Sequence, residues 1–199
     1  MTSREKILTA IRSRALAAQE LPSLEQPWIT YADPVAQFAG VLEGIGGRFV
    51  RVEQIDQVNR RLDELPVYRD ARQTVSLVAG VGQTNIDWAG IDDPHALETV
   101  DFAILPGEFG VAENGAIWLT DRGLRHRVLP FIVQHLALVI PARSIVHNMH
   151  QAYERLRLGG AEFGVFIAGP SKTADIEQSL VIGAHGPRSL TVFCLDLVD

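Results

Sequence analysis

Cysteine is nearly missing from this sequence: Cys194 is the single one among 199 residues. One thiol forms no intramolecular disulfide and cannot by itself hold an iron–sulfur cluster, so redox chemistry would require a partner or an organic cofactor. Cys194 sits in the apolar run LTVFCLDLV, where a buried and inert thiol is expected. Basic excess is missing too. Eighteen Lys and Arg stand against 24 Asp and Glu, a net charge of −6. A nucleic-acid surface needs a concentrated basic face, so no nucleic-acid partner is expected. No apolar run approaches the roughly 18 residues of a membrane-spanning helix, so no membrane partner is expected either. The opening MTSREKILTA lacks the apolar centre of a secretory signal. Cytoplasmic residence is the resulting expectation.

What is present suits one globular domain with a real core: 47% hydrophobic and 21% charged residues, at a length ordinary for a single domain. TSREKILTAIRSRALAA places Ile7, Leu8, Ile11 and Ala15 at helical spacing, with Ser3 as the expected cap. The proline-containing connector QELPSLEQPW then separates this helix from the rest. The expected division is residues 1–30, a helix and connector outside the main core, and residues 31–199, an α/β domain. DPVAQFAGVLEGIGG predicts a helix capped by Asp33 with Pro34 at its first position. GRFVRV predicts a strand, and EQIDQVNRRLDEL an amphipathic helix.

Six short β-branched and apolar runs follow: TVSLVAG, DFAILPG, GAIWLT, LALVI, GVFIAG and LTVFCLDLV. Several are apolar on both faces, as strands covered on each side are. HNMHQAYERLRL and SKTADIEQSLVIG read as helices between the last three. This alternation predicts a single three-layer α/β domain with a mainly parallel sheet.

In open α/β sheets ligands gather where strands end. GVFIAG passing into PSKTADIE has that form: a strand, a turn at Gly169, then a helix start that Ser171 or Thr173 can cap. The free N–H groups of such a first turn suit a carboxylate or phosphate. Asp175 and Glu177 also stabilise that helix end with no ligand at all. Downstream, GAHGP holds His185 in a tight turn between Gly183 and Gly186, leaving its imidazole free to face a cleft or simply solvent.

Taken together, GPSKTADIEQSLVIGAHGP (residues 169–187) resembles the signature of the lactate-utilisation protein C family, the LUD-domain proteins. The similarity continues upstream through ENGAIWL and IPARSIV, over roughly residues 100–195. The family is similar in fold to the ribose-5-phosphate isomerase and coenzyme A transferase superfamily. The resemblance implies a component of a cytoplasmic system that oxidises L-lactate to pyruvate. It also implies a small carboxylate ligand and an iron–sulfur partner subunit, with no cofactor held by this chain alone.

A second motif is GEFGVAENGAIWLTD. Asn-Gly between two extended runs is a strong hairpin signal, which would leave Glu113 as a solvated turn residue. The turn AENG also resembles the Ser-Glu-Asn-Gly turn of one coenzyme A transferase class, whose Glu attacks an acyl-CoA. That resemblance implies Glu113 as nucleophile or general base. LUD proteins carry hydroxyl residues around this glycine; here Asn114 and Ala116 stand instead.

The stretch TDRGLRHRVLPF brings Arg122, Arg125, His126 and Arg127 just after a predicted strand. A guanidinium fork grips a small 2-hydroxy- or 2-oxo-carboxylate well. The spacing leaves open whether Arg125 or Arg127 does so, and Arg127 abuts the apolar run. His147 and His150, three apart, lack the spacing and acidic third ligand of a metal motif, so no metal is expected.

The expectation is therefore one cleft lined by Glu113, Arg125 or Arg127, Gly169, Ser171, Thr173, Asp175 and His185. Two other classes stay open. One is a stand-alone acyl-CoA transferase-like or phosphosugar isomerase-like enzyme using Glu113. The other is a non-catalytic interaction subunit. Oligomeric state is not legible.

Overall fold

Strand runs apolar on both faces build a sheet buried on both sides. In the computed structural model, which describes residues 2–14, 19–157, 160–173 and 181–196, five strands run parallel. They are β1 (Arg48–Val52), β2 (Thr74–Ser76), β3 (Phe102–Pro106), β6 (His135–Pro141) and β8 (Ser189–Leu195), in the order β1-β8-β6-β3-β2. Side chains alternate across the pleat. Ala103, Leu105, Leu136, Leu138, Ile140, Leu190, Val192 and Cys194 enter one core; Phe102, Ile104, Ala137, Val139, Phe193 and Leu195 enter the other.

The second core is closed by α3 (Ile55–Asp63) and α4 (Pro66–Arg69) through Val58, Leu62 and Leu65. The first is closed by α2 (Pro34–Gly44), whose Asp33 cap accepts from the N–H groups of Val35 and Ala36 as expected. The outer layer on that side holds more than helix. β4 (Phe109–Val111), β5 (Ala116–Thr120) and β7 (Gly164–Ile167) form a separate antiparallel sheet in the order β4-β5-β7. Ile117 and Leu119 of β5 pack into the first core.

GAIWLT and GVFIAG are thus strands as expected, yet they pair with each other and not with the parallel sheet. Their apolar character comes from being sandwiched between that core and a smaller aromatic cluster of Phe109, Trp118 and Phe166. The fold is α/β with three layers and a parallel main sheet, one outer layer being part helix and part β.

The N-terminal helix α1 (Ser3–Ser13) buries no residue. Its cap is Thr2, not Ser3: the Thr2 hydroxyl accepts the Glu5 N–H and the Glu5 carboxylate accepts the Thr2 N–H, a complete capping box. Residues 19–27 are exposed throughout. The chain regains the body at residues 28–31, which dock on α6 (Met149–Arg155) and the turn before it. Trp28 stacks on His150, Tyr31 N–H donates to His147 Nδ1 at 3.0 Å, and the Asn148 amide donates to the Ile29 carbonyl at 2.7 Å.

Candidate functional site

The C-terminal turn is shaped by backbone pairing. Ser171 N–H donates to the Pro187 carbonyl and Gly183 N–H to the Ser171 carbonyl, both at 2.9 Å. Lys172 and Ile182 form an antiparallel bridge. Thr173 N–H donates to the Val181 carbonyl at 3.1 Å, and the Thr173 hydroxyl accepts from Val181 N–H. Thr173 therefore serves this pairing with Val181, and Ser171 is held between Pro187 and Gly183. The helix expected through ADIEQSL lies mostly at residues 174–180, outside the described residues. Asp175 and Glu177 lie there too.

Two glycines make the turn fit. Gly169 has φ +73°, and a Cβ there would lie 3.0 Å from the Ile45 carbonyl oxygen. At Gly186 a Cβ would lie 3.0 Å from Ser171 Cβ. Lys172 Nζ donates to that same Ile45 carbonyl, capping the C-terminus of α2.

These residues close a hollow of about 280 Å³. Phe131, Phe166, Leu136 and Leu190 form its apolar wall, with Pro170 and Pro187 beside them. Gly169, Ser171, Lys172 and His185 bring the polar groups. A concavity with apolar walls and a few convergent polar groups is the usual form of a small-molecule site. Leu136 and Leu190 are the second residues of β6 and β8. The hollow thus lies at the starting edge of the parallel strands, not at the carboxyl edge that the strand-to-helix pattern suggested. The cause is β7, which belongs to the antiparallel sheet and delivers its C-terminal turn to the other end.

Glu113 sits in the β4–β5 hairpin, where Asn114 Oδ1 accepts the Ala116 N–H and Gly115 adopts φ +69°. Gly115 and Gly169 both press on Ile45, so the AENG turn and the C-terminal turn are neighbours through one side chain. The Glu113 carboxylate itself accepts the Met149 N–H at 2.8 Å, at the start of α6. Glu113 is not among the residues lining the hollow.

The arginines go elsewhere as well. Arg125 donates to the Ile91 carbonyl at 2.7 Å and to Asp92 at 2.6 Å. Arg127 pairs with Asp121 and Glu162 at 2.7 and 2.8 Å. Both flank a different depression, with Pro94 and Leu124. Abutting an apolar run led Arg127 to carboxylates already present in the chain. The expected single cleft is thereby divided: Gly169, Ser171 and His185 share the hollow, Glu113 stands at α6, and Arg125 and Arg127 stand at the 121–128 loop. Lys172 is the cation at the hollow, and sequence reading passed over it although GPSKT places it one residue from Ser171.

Two further expectations concern single groups. Cys194 is fully buried, and burial pushes its thiol up to about 12. Among the described residues no three His, Cys, Asp or Glu side chains stand together as a metal site. His147 precedes α6 and His150 lies within it, and both receive the N-terminal connector.

The LUD-domain family profile matches residues 93–195. Among curated proteins, the chain is similar to Lactate utilization protein C of Geobacillus thermodenitrificans, 34% identical over 133 residues, covering 63% of this chain and 50% of that protein. It is 33% identical over 113 residues to Lactate utilization protein C of Geobacillus kaustophilus, covering 54% and 44% respectively. The chain spans about half the length of these relatives. Among solved structures, a DUF162-family protein from Deinococcus radiodurans aligns with a TM-score of 0.62 at 17% identity, covering 84% of this chain and 99% of that one. That likeness concerns the fold.

Proposed function

Because the chain belongs to the LUD-domain family, we propose that it serves lactate utilisation as the component that holds the small carboxylate during oxidation of L-lactate to pyruvate. The relatives' name supports the pathway, and the hollow at residues 169–172 and 185–187 supports the ligand-holding role. Lys172 supplies positive charge for the carboxylate, and the Ser171 hydroxyl supplies a hydrogen bond. The His185 imidazole accepts the proton of the 2-hydroxyl. The apolar wall of Phe131 and Phe166 receives the methyl group. Oxidation removes two electrons and two protons from lactate. One proton is the hydroxyl's, taken by His185; the C2 hydrogen leaves as its proton and two electrons to an acceptor on a partner subunit, in this reading an iron–sulfur protein that takes the electrons one at a time.

The observation that carries this reading is the convergence of Ser171, Lys172 and His185 on one hollow with an apolar wall. Calorimetric titration with L-lactate and with pyruvate tests it. Saturable binding of either, absent for acetyl-CoA and ribose 5-phosphate, supports it; binding of only the coenzyme A ester or the phosphosugar overturns it. Glu113 enters this reading as the residue that holds α6 and the neighbouring turn in place. A nucleophilic Glu113 would need its carboxylate released from the Met149 N–H.

A further inference from the structure

The N-terminal arm is a formed element whose helix buries none of its residues. Ile7, Leu8 and Ile11 share one face of α1 at helical spacing, with Ile7 61% and Ile11 63% exposed. Leu21 and Leu24 continue the apolar display along the connector. Isolated helices shorter than about 12–15 residues are marginal in water, so an 11-residue helix that buries nothing gains from being covered. Its charge says by what. Residues 2–14 hold Arg4, Lys6, Arg12 and Arg14 against Glu5, a net +3, which leaves −9 on the remainder of a chain with net charge −6. None of these four cations forms an ion pair among the described residues.

The complement lies on the body. An open hollow of about 550 Å³ borders the start of β6 and β8, on the opposite face of the sheet from the ligand hollow. Pro66, Val67 and Ala71 give it an apolar side. Asp70, Glu98 and Asp101 give it three carboxylates against the single cation Arg188. Asp70 and Glu98 likewise form no ion pair among the described residues.

We infer that this hollow receives α1 of a second copy of the chain, forming an arm-exchanged dimer in which each N-terminal helix lies on its neighbour's body. Ile7, Leu8 and Ile11 cover Val67 and Ala71, while Arg4, Lys6, Arg12 and Arg14 meet Asp70 and Glu98. The exchange is reciprocal, so both surfaces are used and the assembly closes at two copies. Residues 19–27 are exposed, and if drawn out they would reach about 30 Å from the Trp28 anchor.

Sedimentation velocity across the micromolar range tests the proposal. The full chain is expected to be a dimer that weakens with added salt. Ile7→Glu with Ile11→Glu, and separately Asp70→Lys with Glu98→Lys, should each weaken it roughly tenfold or more, while the unfolding midpoint at concentrations low enough for monomer stays that of the parent, because none of these side chains is buried within one chain. Adding Arg4→Glu and Lys6→Glu to the Asp70→Lys, Glu98→Lys chain should restore dimerisation. A monomer at every concentration overturns the proposal, as does a dimer indifferent to both pairs of changes. Arm-dependent partition onto phosphatidylglycerol vesicles by a monomeric chain overturns it in favour of a lipid surface.

Discussion

Trp28 lies flat on His150, ring centroids 3.5 Å apart and planes 12° from parallel. This stack, with the Tyr31–His147 and Ile29–Asn148 hydrogen bonds, is where the N-terminal arm becomes part of the body. Everything before it is exposed except for partly covered Leu8 within the described residues. Trp28→Ala removes the stack and should cost about 1 kcal/mol of stability. Limited proteolysis should then cut after residue 31 as readily as within residues 19–27. Unchanged protection of residues 28–31 would mean that the two hydrogen bonds suffice.

His185 lies exposed in its turn, and no hydrogen bond engages its ring among the described residues. His185→Ala should leave the unfolding free energy within about 0.5 kcal/mol of the parent. L-Lactate affinity should fall roughly tenfold, as expected when the hydrogen bond accepted from its 2-hydroxyl is lost. A large loss of stability would make His185 a structural group instead.

Glu113 separates two roles cleanly. Glu113→Gln keeps an oxygen to accept the Met149 N–H, so stability should hold; Glu113→Ala leaves that N–H unpartnered and should cost about 1 kcal/mol. Should both variants lose substrate conversion while remaining equally stable, Glu113 acts chemically and the positioning role assigned here is wrong.

His135 is shifted below its ordinary value, first by burial and then by nearby Arg188, with Asp101 opposing. The folded state therefore resists protonation that the unfolded chain accepts freely. Stability from this group is fully present above about pH 6.5 and is lost as pH falls through the lowered folded value. His135→Gln should flatten the acid side of a urea-midpoint profile between pH 7.5 and 5.5. A slope identical to the parent's would assign the acid sensitivity to other groups.

Cys194 should not react with Ellman's reagent in the native protein and should react once urea unfolds it. Labelling faster than global unfolding would show that the β1–β8 edge opens locally.

Most of the fold was legible because its determinants are local. Asp33 and Pro34 announce the start of α2, and the two-faced apolar runs announce buried parallel strands. The partnering of GAIWLT with GVFIAG was not legible. Antiparallel pairing across 40-odd intervening residues is decided by which core Ile117, Leu119 and Val165 can reach, and an apolar run looks alike in either sheet. The expected grouping of residues was legible in part. Gly169, Ser171 and His185 do share a hollow, since each is tied by backbone geometry to the same turn. Arg125 and Arg127 stand apart from that hollow because a guanidinium beside an apolar run is equally well satisfied by carboxylates distant in sequence, as Glu162 shows for Arg127. Lys172 was missed because its partner is a bare helix end at Ile45, which carries no side-chain signal.

The central claim is that a small 2-hydroxy- or 2-oxo-carboxylate occupies the hollow beside Lys172 and His185. Amide chemical shifts recorded while pyruvate is titrated into the labelled protein measure this most directly. The largest movements should fall on Gly169, Ser171, Lys172, His185 and Gly186. Movements centred on Arg125 and Arg127, or none at saturating pyruvate, would contradict it.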